Sequence, residues 1–209
     1  KLINFEMKLS EFKVIFFWEY LHRIWGRLIG LTFLIPFIYF TLKKMITKKL
    51  FVILCLILSL GCFQGFMGWY MVSSGLVDKP DVSQYRLASH LAIAFLIYSS
   101  LIFLGWNLWA KFNVKYDNKY LKIPKTSFYF CFILLFTTII SGAFVSGTKA
   151  GLSYNSFPLM GDELIPSEIF DMSPLWKNFF ENTSLIQFNH RILATFTCII
   201  ILITSLMYL

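Results

Sequence analysis

The chain has 209 residues, of which 57% are hydrophobic and only 14% are charged, and its mean hydropathy is +0.68. A soluble domain is usually about a quarter charged, so this composition excludes an ordinary soluble protein and indicates an integral membrane protein. The net charge of +8 would also suit a nucleic-acid-binding protein. We expect no nucleic-acid partner, because the lysines cluster in short segments between apolar runs, where they set membrane topology.

Five apolar runs predict an all-α fold, a polytopic membrane helical bundle of about five transmembrane helices. Each run is near or above the roughly 20 residues that a helix needs to cross the hydrocarbon. The four cysteines lie in these runs without C-x-x-C spacing, and we interpret them as small embedded hydrophobic residues. The predicted helices are 14–40, 50–72, 84–109, 126–147 and 185–209.

The loops between these helices predict the orientation. Loop 41–49 has four lysines and no acidic residue, and loop 110–125 has five lysines against Asp117. Loop 73–83 is nearly neutral, and loop 148–184 has five acidic residues against two lysines. The positive-inside rule therefore places the two lysine-rich loops in the cytoplasm or matrix and the other two on the outer side.

The only three histidines, His22, His90 and His190, lie near the starts of the first, third and fifth predicted helices. All three helices enter from the outer side, so we expect the histidines at similar depth, towards the outer face. Ionisable groups at such positions are costly and are functional candidates by default. Neutral imidazoles on neighbouring helices of a bundle can bind a haem iron from both sides.

Glu19 and His22 are spaced i, i+3 and share a helix face. Three interpretations of Glu19 remain open at this point. Its carboxylate can hydrogen-bond the imidazole, it can act as an acid or base beside a reacting group, or it can mark the wet end of the helix.

Four arginines lie close to the histidines and are candidate contacts for haem propionates, because a guanidinium binds carboxylates through two parallel hydrogen bonds. The alternative is that their side chains reach the lipid phosphates. One of them, Arg27, lies deeper than the rest, which favours a buried partner. The four are Arg23, Arg27, Arg86 and Arg191.

Glycines give two of the helices a thin face. Gly61, Gly65 and Gly68 lie on the second helix, and Gly142 and Gly147 on the fourth. Such faces permit close helix approach, and they also leave room for a bulky flat ligand.

A weak internal repeat aligns 19–23 with 187–191, since both segments have the pattern polar-x-x-His-Arg before an apolar run. Two similar helices of the same orientation predict a duplicated four-helix-bundle architecture. On this basis 1–125 forms a first-half bundle in which His22 pairs with His90. The remainder, 126–209, forms a partial second half with the outer loop 148–184, and the partner of His190 lies on a helix beyond the chain.

Together these segments resemble the heme A synthase family, most closely its mitochondrial and alphaproteobacterial branch. The resemblance runs in order along almost the whole chain and covers what look like the second to sixth of eight helices, without the first and the last two. It is carried by EYLHRIWGRLIG (19–30), GCFQGFMGWYMVSSGL (61–76), VSQYRLASHL (82–91), GAFVSGTKAGLSYNSFPLMGD (142–162) and QFNHRILA (187–194).

The resemblance implies conversion of heme O to heme A, by oxidation of a ring methyl to a formyl, in support of cytochrome oxidase assembly. It implies that His22 and His90 bind the iron of the substrate haem, that Glu19 is catalytic, and that His190 binds haem b.

Partners and location follow from the same resemblance. We expect heme O, supplied by a heme O synthase, an electron acceptor that the sequence does not identify, membrane lipid and a homo-oligomer. The expected location is multi-pass, in the mitochondrial inner membrane or an alphaproteobacterial cell membrane, with the histidine sites towards the outer side.

Two other functions explain some of the same residues. A bis-histidine b-type cytochrome that only transfers electrons accounts for paired histidines, although it needs neither Glu19 nor a glycine-lined substrate entry. An inactive truncated fragment, or a non-catalytic assembly subunit with structural histidines, is the third interpretation.

Overall fold

The computed structural model describes residues 7–75, 82–112 and 124–207. In this part of the chain the long elements are all helical, and five of them are long and apolar enough to cross a membrane. The predicted all-α fold with five spans is therefore confirmed. The five are α1 (Leu9–Leu42), α2 (Lys48–Gly75), α3 (Gln84–Phe112), α4 (Lys125–Gly147) and α6 (Thr183–Met207), while α5 (Asn178–Glu181) is a single turn.

Four of the five predicted helix starts agree with the structure within two residues, but α1 begins five residues earlier than expected, at Leu9. Its 34 residues make it about 51 Å long, well beyond the roughly 30 Å of hydrocarbon. His22 is therefore thirteen residues from the start of its helix, whereas His90 and His190 are six and seven residues from theirs. α1 has no buried residue, as suits a helix whose apolar side chains contact lipid.

The chain divides into two compact units, Lys1–Trp69 and Tyr70–Leu209. In the first unit, the rings of Phe37 and Phe51 stack at 5.6 Å and join the end of α1 to the start of α2. The predicted functional halves, 1–125 and 126–209, are a statement about duplication and stay a prediction.

In the second unit α4 packs against both α3 and α6. The ring of Phe95 on α3 contacts the rings of Phe132 and Phe136 on α4. The hydroxyls of Thr138 on α4 and Thr197 on α6 are 2.8 Å apart and hydrogen-bonded. Such polar contacts hold helices together where lipid supplies no hydrophobic driving force between them.

Close approach of helices depends on a glycine at the end of α4. A Cβ added at Gly147 would lie 2.6 Å from the Cα of Gln84 at the start of α3, closer than real Cβ atoms come to backbone. Part of the thin face predicted for the fourth helix is therefore used for packing within this chain.

The segment 148–182 between α4 and α6 folds into short helical turns, fixed by two buried asparagines. The wholly buried Asn178 accepts from the N–H of Met172 and donates to the carbonyls of Met172 and Leu175. Asn182 caps α6, because its Oδ1 accepts from the N–H groups of Ser184 and Leu185. Buried amides are stable only when hydrogen-bonded in this way.

Candidate functional site

His190 lies on α6 with its imidazole packed against Gly142 of α4. A Cβ added at Gly142 would be 3.1 Å from His190 Cε1, so a larger residue there would displace the ring by a few tenths of an ångström. The ring is half-buried, and its Nδ1 is buried without a hydrogen-bond partner among the described residues. A buried polar atom without a partner costs free energy, and binding of the ring to a metal or a ligand would offset part of that cost.

Two side chains that flank His190 on the same face of α6 hold a stretch of the outer segment. The amide of Gln187 pairs with the backbone of Tyr154, accepting from its N–H at 3.2 Å and donating to its carbonyl at 2.8 Å. The guanidinium of Arg191 donates to the carbonyls of Tyr154, Ser156 and Leu159, at 2.8 to 3.2 Å. We name the stretch 154–159 the strap.

A carboxylate beyond the strap adds a further attachment. The Tyr154 hydroxyl and the Ser184 hydroxyl both donate to Oε1 of Glu168. The hydrogen bond from Tyr154 is the main cause that lowers the pKa of Glu168, and the same bond is the main cause that raises the pKa of Tyr154. Asn182 also donates to the Glu168 carbonyl, at 2.8 Å, so the strap is tied to the first turn of α6.

His90 is half-buried on α3, one turn after Arg86. The guanidinium of Arg86 lies 4.1 Å from the centre of the Tyr70 ring at the end of α2, a cation–π contact. The hydroxyl of the neighbouring Tyr85 donates to Glu181 at 3.3 Å, which joins the start of α3 to α5. The predicted propionate contact thus has an aromatic neighbour, and its role towards a haem stays a prediction.

On α1, Glu19 and Arg23 form an ion pair at 3.1 Å with both side chains about half exposed. His22 is exposed on the same helix. The carboxylate thus contacts the arginine one turn further on. Arg27 is exposed as well, and no hydrogen bond or ion pair joins it to another described residue, which differs from the buried partner that its depth suggested.

The structure brings together the residues around His190, and it describes the groups on α1 and around His90 in separate units. In the described part of the chain, no cluster of three or more histidine, cysteine or acidic side chains could hold a metal ion. A Cβ added at Gly61 or Gly65 on α2 meets nothing within 4 Å there. Of the two uses of this glycine face, room for a flat ligand therefore stays open.

Sequence reasoning missed Gln187 and the buried asparagines as structural residues. The signal for Gln187 was present, because it occupies in the repeat the position of Glu19. Asn182 directly precedes the apolar run of α6, which is a typical N-cap position. Nothing in the sequence distinguishes the buried Asn178 from a surface loop asparagine.

Comparison with known proteins is consistent with these features. A family model described as cytochrome oxidase assembly protein, COX15-CtaA, matches residues 1–209. The heme A synthases of Nitrosospira multiformis and of the Wolbachia of Brugia malayi are 47% and 46% identical over 93% of this chain, which covers 54% and 58% of their lengths. Heme A synthase COX15 of Bos taurus is 44% identical over 93% of this chain and 48% of its own length.

The chain thus spans about half the length of the curated relatives it matches. No solved structure matches it. The family model matches residues 1–209, and five helices in the described part of the chain are suited to cross a membrane. The chain is a multi-pass membrane protein and belongs to the COX15-CtaA family of cytochrome oxidase assembly proteins.

Proposed function

We propose that this chain carries out the reaction of a heme A synthase, the oxidation of a ring methyl of heme O to the formyl of heme A. The observation that carries the proposal is the 44–47% identity of over nine-tenths of the chain to relatives of that name. The three histidines support it, because they lie in three different membrane helices.

The substrate haem is proposed to bind His22 of α1 and His90 of α3. Both imidazoles occur in segments of low polarity, where ionisable groups are costly unless they serve a function. Arg86, one turn from His90, is a candidate for a propionate contact beside the Tyr70 ring, and Arg23 and Arg27 are candidates from α1. The glycine face of α2 is a candidate contact for the flat ligand, because a Cβ at Gly61 or Gly65 would meet nothing within 4 Å in the described part of the chain.

Glu19 is proposed as the acid or base of the reaction. Oxidation of a methyl to a formyl removes protons as well as electrons, so a carboxylate close to the methyl is useful as a proton acceptor. Arg23, one helical turn after Glu19 on α1, forms an ion pair with that carboxylate. The ion pair limits the rotamers that Glu19 can adopt.

His190 is proposed as a ligand of haem b. The site fits that group, because the imidazole has a buried nitrogen without a partner and is packed against a bare glycine backbone. Bound haem b would supply one-electron redox chemistry. The chain's own contribution is to fix the ring: Gly142 sets its distance from α4, and the hydrogen bonds of Gln187 and Arg191 order the segment beside it.

Location and partners complete the proposal. The lysine-rich segment 41–49 covers the end of α1 and the start of α2. It is proposed to face the cytoplasm or matrix, which puts 148–182 and the histidines towards the outer side. The partners are heme O from a heme O synthase, an electron acceptor and a second copy of the chain.

The proposal is tested by co-expression of the chain with a source of heme O, followed by mass analysis of the haem extracted from the purified protein. We expect heme A or its hydroxylated intermediate from the wild type. Glu19→Ala should retain haem but lose product by at least about a hundredfold, the usual size of an acid–base contribution. Glu11→Ala, which removes another exposed carboxylate of α1, is the matched control.

The other outcomes separate the alternatives. Unchanged haem B with no product from heme O would favour the electron-carrying cytochrome. Bound heme O without conversion would favour an intact substrate site in an inactive chain. Full activity of Glu19→Ala would contradict the role of Glu19 while leaving the reaction itself in place.

A further inference from the structure

The residues that flank His190 point to a function that the haem chemistry does not require of them. Gln187, His190 and Arg191 are spaced i, i+3 and i+4, so they share one face of α6. On this face the imidazole meets Gly142, and the two flanking side chains bind the backbone of the strap. The strap is therefore attached to α6 at a residue one turn before the histidine and at the residue directly after it.

We propose that Gln187 and Arg191 are positioning residues that fasten the strap, 154–159, against α6 at the level of His190, and that Arg191 acts through main-chain carbonyls rather than as a propionate partner. This inference rests on the proposed function only for the role of His190. The attachment itself follows from the hydrogen bonds of the chain.

The donors and acceptors of both side chains match the strap. A glutamine amide has one acceptor and one donor group, and Gln187 uses both on the same residue, Tyr154. Arg191 uses three N–H groups on three carbonyls. A guanidinium offers five such donors in a fixed fork. A lysine would keep the charge but could not reproduce this geometry.

The first half of the repeat shows the contrast. At the positions equivalent to Gln187 and Arg191, α1 has Glu19 and Arg23, which bond each other at 3.1 Å. A carboxylate has no hydrogen to donate to a carbonyl, so a glutamate at 187 could not make the second bond to Tyr154. The exchange of glutamate for glutamine thus separates a reactive carboxylate in one half from a backbone anchor in the other.

The attachment has a consequence for the site. The strap begins seven residues after the end of α4, the helix whose Gly142 contacts His190. Fastening it to α6 closes a loop of chain from α4 to α6 beside the histidine. This loop restricts relative movement of the two helices that determine the position of the imidazole.

Hydrogen–deuterium exchange in detergent or nanodiscs tests the attachment without haem. Gln187→Ala and Arg191→Lys should each speed exchange in peptides that cover the strap by about tenfold, because each removes two or more hydrogen bonds. Exchange in the centres of α4 and α6 should not change. Asn189→Ala, on the same turn of α6 but outside these contacts, should leave the strap at wild-type rates.

A second measurement separates positioning from a merely structural role. In the haem-loaded protein, Gln187→Ala, which changes no charge, should shift the midpoint potential or the low-spin signal of the iron bound by His190. Gln187→Glu, the isosteric variant, is compared by strap exchange only, because its added charge would shift the potential by itself. Gln187→Ser should show the same shift as Gln187→Ala, because the serine side chain is too short to reach the Tyr154 backbone.

Two results would overturn the proposal. Wild-type strap exchange in Gln187→Ala would show that the amide is not an anchor. Wild-type behaviour of Arg191→Lys together with haem loss in Arg191→Gln would show that the charge matters and the fork does not, as for a propionate partner. If the alanine variant does not fold, strap exchange in the isosteric Gln187→Glu decides. Neither result bears on heme A formation, which the haem extraction tests separately.

Discussion

The absence of a side chain at Gly142 lets the His190 imidazole lie close to α4. The ring is so close to Gly142 that an added Cβ would be 3.1 Å from Cε1. This contact is tighter than ordinary van der Waals distance, so any larger residue must displace the ring or separate α4 from α6. Glycine is required here for space, whereas the backbone conformation is that of an ordinary helix.

We therefore expect Gly142→Ala to weaken binding of haem at His190 by about tenfold, the order of one overpacked methyl group. Retention of haem and its low-spin absorption band would be measured in the purified variant. Gly105→Ala is the matched control, because a Cβ at that glycine of α3 meets nothing within 4 Å in the described part of the chain. Equal retention in the two variants would contradict the role of Gly142.

Arginines at similar sequence positions differ in what they contact. Arg191 binds three carbonyls, Arg86 lies over an aromatic ring, and Arg23 pairs with Glu19. The sequence shows only that each follows or precedes a histidine. The partner of a guanidinium depends on groups that are far away in the chain, so its role could not be read from spacing.

At the scale of elements, the segment 148–182 behaves as a folded cap rather than a plain loop. Its acidic residues predicted an outer location, but they did not predict that Glu168 would bond Tyr154 and Ser184. This contact forms between residues 14 and 16 positions apart, and it depends on how the short helical turns bring the chain back to α6.

The cap should lose stability on acidification. The folded state lowers the pKa of Glu168. The contribution of this carboxylate to stability is therefore present above the unfolded pKa of about 4.3 and is lost as the pH falls through the folded pKa. Glu168→Gln should be less stable than wild type at pH 7, and the difference should shrink below about pH 4. Fluorescence of Trp176 in the cap, in a background where the other five tryptophans are replaced by phenylalanine, measures this during chemical unfolding at several pH values.

The raised pKa of Tyr154 acts at the other end of the range. The contribution of Tyr154 to stability is present below the unfolded pKa of about 10 and is lost as the pH rises through the folded pKa.

Asp162→Asn is the control for the lost negative charge in Glu168→Gln, because Asp162 is exposed in the same cap without a hydrogen-bond partner among the described residues. The same acid dependence in Glu168→Gln as in wild type would disprove the contribution of that carboxylate.

The observed long helices agree with those predicted from the sequence, because few backbone conformations are possible in a membrane. A long apolar run without polar partners satisfies its backbone groups only as a helix. Helix ends were less well predicted: α1 extends to Leu9, although Glu11 and Lys13 lie in its first turns. Hydropathy marks the part of a helix that is in lipid, and a helix can continue beyond it into water.

At the scale of the molecule, the charges predict the orientation in the membrane. Segment 41–49 and segment 148–182 are separated by three candidate spans, α2, α3 and α4, so we expect them to face opposite sides. The lysines of the first segment and the acidic residues of the second favour an inner and an outer location respectively.

Labelling with a membrane-impermeant maleimide tests this arrangement in intact cells or organelles. Asp162→Cys should be modified from outside at once, whereas Lys44→Cys should be modified only after the membrane is permeabilised. Peptide mass analysis separates the new thiols from the four native cysteines, which lie in the apolar helices. The reverse pattern would show that the orientation is inverted, and the histidine sites would then face the inner side.

Local properties of the sequence determined the class of protein, the five spans and the three histidines as the chemically distinctive residues. Each of these depends on composition or on spacing within one helix, because the partition of a segment between water and lipid depends on its own residues. The repeat of 19–23 in 187–191 also suggested which residues correspond.

Only the tertiary structure decided how those residues are used. Three sets of contacts join residues that are at least 14 positions apart in the chain. They are the contact of Gly142 with His190, the hydrogen bonds of Gln187 and Arg191 to the strap, and the hydrogen bond between Tyr154 and Glu168. A hydrogen bond or a close contact depends on distances of a few tenths of an ångström. Such distances follow from the packing of α4, α6 and the cap, and the sequence pattern of any one of them does not contain them.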